Sequence, residues 1–228
     1  MERTIHPAVR WTAVSALGMV AVLVLAACSA GGRPGEAVGD TSGAPATPPV
    51  VATPAAPAQS SDSWTPALLD RAYAVVHDLG AHDFTHLAGL VHPDRGVTFS
   101  PYAFVEPDAV TFSAAKLKTL ALGDTFVWGA YDGSGDPIDL SVADYFDKFV
   151  LNQDFSQAPL IGIDHLVQTG NTLINLSDAF PGAHFVEFNF PGSDPAYDGM
   201  DWASLRLVFE QVDGAWMLVG VVGDRWTV

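Results

Sequence analysis

Apolar residues recur at helical spacing where the aromatic-rich part of the chain begins. Thr65 followed by Pro66 is typical of a helix N-terminus, because Thr can cap the first turn and proline lacks the N–H that this turn leaves unbonded. Apolar positions then return every three or four residues until Gly80, which predicts a helix over 65–79. Three further helices are predicted at residues 83–91, 113–120 and 141–151, and the last two each begin at a serine that can cap them.

Segments rich in β-branched and aromatic residues predict six strands, two before the 141–151 helix and four after it. They are residues 96–104, 125–131, 160–168, 183–190, 204–211 and 215–222. Asp213-Gly214 joins the last two and favours a tight type I′ hairpin, because both residues tolerate positive φ. Helices come early and strands cluster late, which predicts an α+β fold with a mostly antiparallel sheet.

The last strands carry two opposite charges at matching positions. Alternation places Glu187 on the more polar face of strand 183–190 and Arg206 on that of strand 204–211, so the two are predicted to pair. One face of an antiparallel sheet is commonly solvated, which favours an exposed ion pair that contributes little to stability. The alternative is that the pair lines a pocket and orients a polar ligand.

The N-terminus has the three zones of a secretory signal peptide over 1–27. Arg3 and Arg10 precede an almost wholly apolar run, which is short for a membrane-spanning helix and ends in small residues. Leu25-Ala26-Ala27-Cys28 also resembles the bacterial lipobox. That resemblance implies cleavage before Cys28, acylation of its thiol, and a lipid anchor on the extracytoplasmic side of the cell membrane. A chance cysteine after an ordinary signal peptide is the alternative, although Cys28 is the only cysteine in the chain.

The segment after the cysteine differs sharply in composition from the rest of the chain. Of the 35 residues 29–63, 27 are Pro, Ala, Gly, Ser or Thr and none is aromatic, so 28–63 is predicted to be the lipidated cysteine and a disordered tether. Residues 64–228 hold 23 of the 24 aromatic residues and are predicted to form one domain.

The charge of the domain and the motifs that the sequence lacks exclude several classes of function. Residues 64–228 contain 7 basic and 22 acidic residues, so the domain would repel nucleic acid and anionic lipid headgroups. The sequence contains no Gly-x-Ser-x-Gly nucleophile elbow, no P-loop and no dinucleotide fingerprint. These observations favour a protein that is not an enzyme.

Two groups of side chains have spacings that metal sites use. His82 and His86 lie four residues apart, but no Glu follows His82 as in the HExxH motif. Asp132 and Asp136, with a serine between them, match the start of a calcium loop, but Pro137 stands where an EF-hand has glycine. Surface or capping histidines and a tight turn are therefore favoured, and no metal or other cofactor is predicted.

The order of elements resembles the NTF2-like fold, a curved sheet wrapped against helices to form a conical pocket. Four stretches also resemble a family of uncharacterised bacterial lipoproteins. They are HPDRGVTFSPY from residue 92, YDGSGDPI from residue 131, NQDF from residue 152 and GMDWASLRLVFE from residue 199. The family implies no catalytic residue, and its members tend to end in His-Asp-x-Trp, where this chain has Gly223-Asp224-Arg225-Trp226.

These features predict a membrane-anchored lipoprotein with a non-catalytic domain that binds a small apolar or amphipathic ligand or an envelope protein. An acid–base enzyme and a structural envelope protein are the alternatives. The candidate ligand-binding residues are His92, Tyr102, Glu187, Trp202 and Arg206. His92 is placed at the exit of a helix, where a structural hydrogen bond to a loop carbonyl is the more common role. The two aromatic candidates are equally suited to core packing.

Overall fold

A computed structural model describes residues 64–227. The predicted signal peptide, Cys28 and the tether lie outside the described residues. Within 64–227, no helix has the length and apolar character needed to cross a membrane.

One long helix and several short ones form the helical part of the fold. The α-helices are α1 (Thr65–Ala81), α2 (Phe84–Leu87), α3 (Ala114–Leu117), α4 (Val142–Tyr145) and α5 (Leu176–Ala179). A π-helical turn, Phe146–Val150, continues α4, and two 3₁₀ turns span Phe155–Gln157 and Pro195–Tyr197. Ser113 and Ser141 cap α3 and α4 as predicted. The N-cap of α1 is Trp64 rather than Thr65, and the helix continues past Gly80 until His82 takes the left-handed conformation.

Within the described residues, eight strands form two sheets. The strands are β1 (Val97–Ser100), β2 (Thr111–Phe112), β3 (Thr125–Ala130), β4 (Pro137–Ser141), β5 (Leu160–Ile163), β6 (His184–Phe190), β7 (Ala203–Val212) and β8 (Ala215–Arg225). Six of them form a sheet in the order β2-β1-β8-β7-β6-β5, and β3 and β4 form a separate hairpin. The α+β prediction is confirmed.

The sheet is mixed and open. β1 runs parallel to β8, while the other pairs in the sheet are antiparallel. The strand pattern did not predict the short strands β2 and β4. The hairpin between β7 and β8 agrees with its prediction, because Asp213 (φ 50°) and Gly214 (φ 81°) both have the positive φ that a type I′ turn requires.

The main hydrophobic core lies between α1 and one face of the sheet. Leu68, Val75 and Leu79 of α1 pack in the same buried cluster as Leu207 and Phe209 of β7. Aromatic rings fill the adjoining space, including Trp128 and Tyr145, whose rings stack at a centroid distance of 3.8 Å. Side chains of the protein itself therefore occupy the space between this helix and the sheet.

The opposite face of the sheet is also covered, contrary to the prediction that it is solvated. A second buried cluster joins Leu176 and Phe180 to Val208, Val219 and Val222 of the sheet. A Cβ atom at Gly220 would lie 2.7 Å from the Phe180 ring, so glycine allows the covering segment to approach the strand closely. The chain between β5 and β6 thus buries residues that alternation alone places in water.

Candidate functional site

Glu187 and Arg206 pair across β6 and β7, as predicted, but they are buried rather than exposed. Both side chains are 0% solvent-accessible. Arg206 Nε donates to Glu187 Oε2 at 3.1 Å, and Arg206 Nη1 donates to Asp224 Oδ2 at 2.8 Å. The guanidinium also donates from Nη2 to the Gln168 carbonyl at 2.8 Å. The favoured interpretation of a surface ion pair is wrong, because the 164–182 segment lies over this face.

The Glu187 carboxylate is saturated by donors of the protein itself. Ser204 Oγ donates to Glu187 Oε1 at 2.6 Å. The backbone N–H groups of Val167 and Gln168 donate to its two oxygens at 3.1 and 3.4 Å. Because these donors all belong to the protein itself, the Glu187 carboxylate serves to hold segment 164–182 on the sheet. Neither Glu187 nor Arg206 lines the surface clefts of about 890, 640 and 360 Å³.

Asp224 belongs to the same network. Burial raises the pKa of its carboxyl group above the usual range, and the neighbouring Arg206 opposes this rise only in part. Asp224 Oδ1 and Asn189 Oδ1 are buried without a hydrogen-bond partner among the described residues. Gly223 precedes Asp224, and a Cβ at Gly223 would lie 2.8 Å from the Phe149 carbonyl oxygen. This close approach leaves no room for a side chain at position 223.

A cleft of about 890 Å³ lies beside Tyr102. Its walls come from the segment 100–109, the end of β3 with the loop that succeeds it, and the segment 171–173. Tyr102 packs edge-on against Phe149 with ring centroids 5.7 Å apart, and its hydroxyl accepts a hydrogen bond from the Asp132 N–H at 3.4 Å. Of the five predicted ligand-binding residues, Tyr102 is the one that lines this cleft.

The lining of this cleft combines exposed apolar side chains with acidic ones. Val127 and Leu173 are 58% and 77% exposed, and both lie on its wall. The charged side chains of the lining are Glu106, Asp108 and Asp132, all of them acidic. Such a surface fits an apolar group attached to a neutral or cationic one.

The other two predicted candidates, His92 and Trp202, lie outside this cleft. His92 Nδ1 accepts hydrogen bonds from the N–H groups of Asp94 and Arg95 at 3.2 and 3.1 Å, so a neutral His92 carries its proton on Nε2. His92 thus bonds to its own loop as expected, but it accepts from backbone N–H groups rather than donating to a loop carbonyl. Trp202 is 3% exposed, and its ring lies where a Cβ at Gly170 would come within 2.9 Å.

The two groups of side chains whose spacing matches that of metal sites make other interactions. His86 Nδ1 lies 2.6 Å from Asp78 Oδ2, while His82 packs beside aromatic rings at the end of α1. In the 132–137 loop, the Asp132 carboxylate accepts from the Gly133 N–H at 3.0 Å and from the Thr227 hydroxyl. No group of three His, Cys, Asp or Glu side chains within 64–227 is arranged to hold a metal ion.

A polar pair at the end of β5 escaped the sequence patterns. Asp164 Oδ2 lies 2.5 Å from His184 Nδ1, at a second groove on the molecule. The pattern extended the strand from residue 160 to 168, whereas β5 ends at Ile163 because Asp164 has φ 49°. The polar residues Asp164-His165, which interrupt the apolar run 160–167, indicate in the sequence that the strand ends at this point.

Comparison of the chain with protein-family models, curated proteins and solved structures found no match.

Proposed function

We propose that the protein is an extracytoplasmic lipoprotein, anchored through Cys28, whose domain binds a small amphipathic ligand in the cleft beside Tyr102. The anchor is supported by Leu25-Ala26-Ala27-Cys28 and by the composition of the tether after it. The ligand site is supported by one observation above all. A cleft of about 890 Å³ brings exposed apolar side chains and three carboxylates together.

An NTF2-like topology is part of this proposal. A long helix against one face of a six-stranded sheet, with strands clustered late in the chain, supports it. In this chain the space between helix and sheet is filled by the main core. The ligand site is therefore the lateral cleft beside Tyr102 and not a central cone.

The charges of the domain define the ligand further. The lining carboxylates and the net charge of −15 over 64–228 disfavour an anionic headgroup. A ligand with a neutral or cationic headgroup and an apolar tail fits both the acidic and the apolar parts of the lining. Its headgroup would lie near Glu106 and Asp108, and its tail along Val127 and Leu173.

A non-catalytic role is favoured by the position of the titratable groups. Asp224 is the described carboxyl group with a pKa raised by burial, and such a group is a candidate acid or base when it faces a cleft. Asp224 instead faces Arg206 beneath the covering segment. Its perturbed pKa therefore belongs to a structural network.

The anchor is tested by acylation in the native host. The wild-type protein should take up a labelled fatty acid and fractionate with membranes, whereas Cys28→Ala should do neither. A wild-type protein without label, or an unchanged membrane fraction for Cys28→Ala, would contradict the anchor.

The ligand site is tested by calorimetry on residues 29–228 with two amphiphiles below their micelle concentrations. Dodecyltrimethylammonium should bind more tightly than dodecyl sulfate, which has the same tail. Val127→Ser should weaken binding of the cation about fivefold, because part of the apolar wall is lost. Tyr197→Ala, at an exposed residue outside the cleft, should leave binding unchanged. Equal binding of the two probes, or no effect of Val127→Ser, would contradict the proposal.

A further inference from the structure

A second groove, of about 640 Å³, lies away from the cleft beside Tyr102 and shares no lining residue with it. It runs past the N-terminal end of α1, the start of β6 and the end of β7. The residues that matter for its chemistry are Trp64, Arg95, His184, Glu210, Gln211 and Trp216. A ligand in this groove would be independent of the amphiphile site.

Asp164 sets the hydrogen-bonding state of His184. An ionised carboxylate only accepts hydrogen bonds, so at 2.5 Å the His184 Nδ1–H donates to Asp164 Oδ2. A neutral ring then has its lone pair on Nε2. This nitrogen has no hydrogen-bond partner among residues 64–227. His184 therefore presents an oriented acceptor at the groove that it lines.

The backbone holds Asp164 in place for this task. Asp164 has φ 49°, a left-handed conformation that Asp adopts more readily than most non-glycine residues. Its N–H donates to the Phe185 carbonyl at 2.9 Å, and its Oδ1 accepts from the Phe185 N–H at 2.9 Å. The backbone N–H and the side chain of Asp164 are thus both bonded to Phe185, which fixes the orientation of the carboxylate.

Aromatic rings fix the imidazole as well. The His184 ring lies 4.5 Å from that of Trp64 and 5.2 Å from that of Trp216, between centroids. The two indoles are themselves 5.6 Å apart. Trp64 is only partly buried, so the groove combines an indole surface with an oriented acceptor.

The charges along the groove cancel locally. Glu210 forms an ion pair with Arg95, and its Oε2 lies 3.7 Å from His92 Nε2. A ligand carboxylate or phosphate would have to compete with Glu210 for Arg95, and a ligand cation would have to compete with Arg95 for Glu210. Gln211 adds a neutral donor and acceptor. The lining thus matches a ligand that is uncharged and rich in groups that both donate and accept.

From these contacts we infer that the groove binds a neutral, hydroxyl-rich ligand of the saccharide class, with His184 Nε2 accepting a hydrogen bond from a ligand hydroxyl. The apolar C–H face of such a ligand packs against the Trp64 indole. Glu210 and Gln211 bond to further hydroxyl groups.

The inference is tested by NMR on the mature chain, residues 28–228, with Cys28→Ser to prevent acylation. Chitotriose, maltotriose and cellotriose serve as neutral probes at about 10 mM, a range that detects weak binding. At least one of them should shift the Trp64 indole and His184 imidazole signals. His184→Phe keeps an aromatic ring between the two indoles but removes Nε2, and should weaken binding about fivefold to tenfold.

Asp164→Asn tests whether Asp164 orients His184 as a ligand acceptor or only stabilises the fold. The Asn amide can still accept from Phe185, but it donates to His184 Nδ1 and so moves the ring proton to Nε2. The imidazole ¹⁵N shifts should report this tautomer change, and saccharide binding should weaken, but less than in His184→Phe, because Nε2–H can still donate to a ligand hydroxyl. His165→Gln, at an exposed histidine outside the groove, is the control and should bind as the wild type.

Three outcomes would overturn the inference. They are no signal shift with any of the three probes, shifts that map away from the groove, and binding that His184→Phe leaves intact. Dodecyltrimethylammonium binding should be unchanged in His184→Phe. Failure of the saccharide site is therefore distinguishable from failure of the amphiphile cleft.

Discussion

Arg206 and Glu187 face each other in the register of β7 and β6, and both are fully buried. Their ion pair holds a segment without regular structure, because Arg206 also donates to the Gln168 carbonyl and Glu187 accepts from the Val167 N–H. The pair therefore links the sheet to the chain that covers it. This link explains how residues 164–175 stay on the sheet despite their irregular backbone.

Removal of Arg206 should be strongly destabilising. Arg206→Ala leaves Glu187 and Asp224 buried without their cation, and breaking a buried pair in this way costs about 3–5 kcal/mol of unfolding free energy. Urea denaturation of both proteins measures the difference. The matched control is Lys116→Ala, which breaks the exposed pair with Asp124 and should cost no more than about 1 kcal/mol. Similar losses for the two variants would contradict the structural role of the network.

Asp224 should make the protein less stable as the pH rises. Its folded-state pKa is raised by burial, so the neutral form is favoured in the folded protein and its stabilising contribution is fully present below the unfolded pKa. That contribution is lost as the pH rises through the folded pKa. Relative to Asp224→Asn, which does not titrate, the wild type should lose stability between about pH 4 and the folded pKa of this group. A pH-independent difference between the two would show that the pKa of Asp224 is not raised in the folded protein, and would contradict this prediction.

His86 should contribute stability at low pH only. Its hydrogen bond and charge interaction with Asp78 raise the pKa of His86, as does nearby Asp83, while Arg71 and desolvation oppose this. The contribution is fully present below about pH 6.5 and is lost as the pH rises through the folded pKa. Thermal melts of His86→Gln and wild type from pH 5 to 9 should therefore converge at the upper end. A constant gap between His86→Gln and wild type would contradict the pairing.

Phe209 tests the packing of β7 against α1. It is 0% exposed within the main core, so Phe209→Ala should cost about 3–5 kcal/mol from lost burial and a cavity. Chemical denaturation gives the value. Tyr197→Ala removes a large side chain that is mostly exposed and should change stability by less than about 0.5 kcal/mol. A loss below about 1 kcal/mol for Phe209→Ala would mean that β7 does not face the core in this register.

Local signals in the sequence predicted local structure well. Ser113 and Ser141 cap helices because a side-chain oxygen can bond to an N–H three residues later, and this requires no distant partner. Asp213-Gly214 forms its turn for a similarly local reason. The Glu187–Arg206 pair was predictable because alternation places both side chains on the same face of neighbouring strands.

Long-range packing was not visible in the sequence. Alternation shows which side chains share a face, but not whether another segment covers that face, so Arg206 was assigned to solvent. The parallel pairing of β1 with β8 joins segments about 120 residues apart. The polar residues Asp164-His165 indicate where β5 ends, but not that Asp164 has a left-handed backbone or pairs with His184. Tyr102 was placed near a ligand, but the cleft depends on the separate hairpin of β3 and β4, which was not predicted.

The measurement that tests the ligand-binding proposal most directly is native mass spectrometry of the mature protein purified from its own host. The proposal predicts a second, heavier species that differs from the bare chain by one small amphipathic molecule. Val127→Ser, on the cleft wall, should show markedly less of it, while Tyr197→Ala should match the wild type. A spectrum with only the bare acylated chain, or an adduct equally abundant in Val127→Ser, would contradict the assignment of the cleft beside Tyr102 as the functional site.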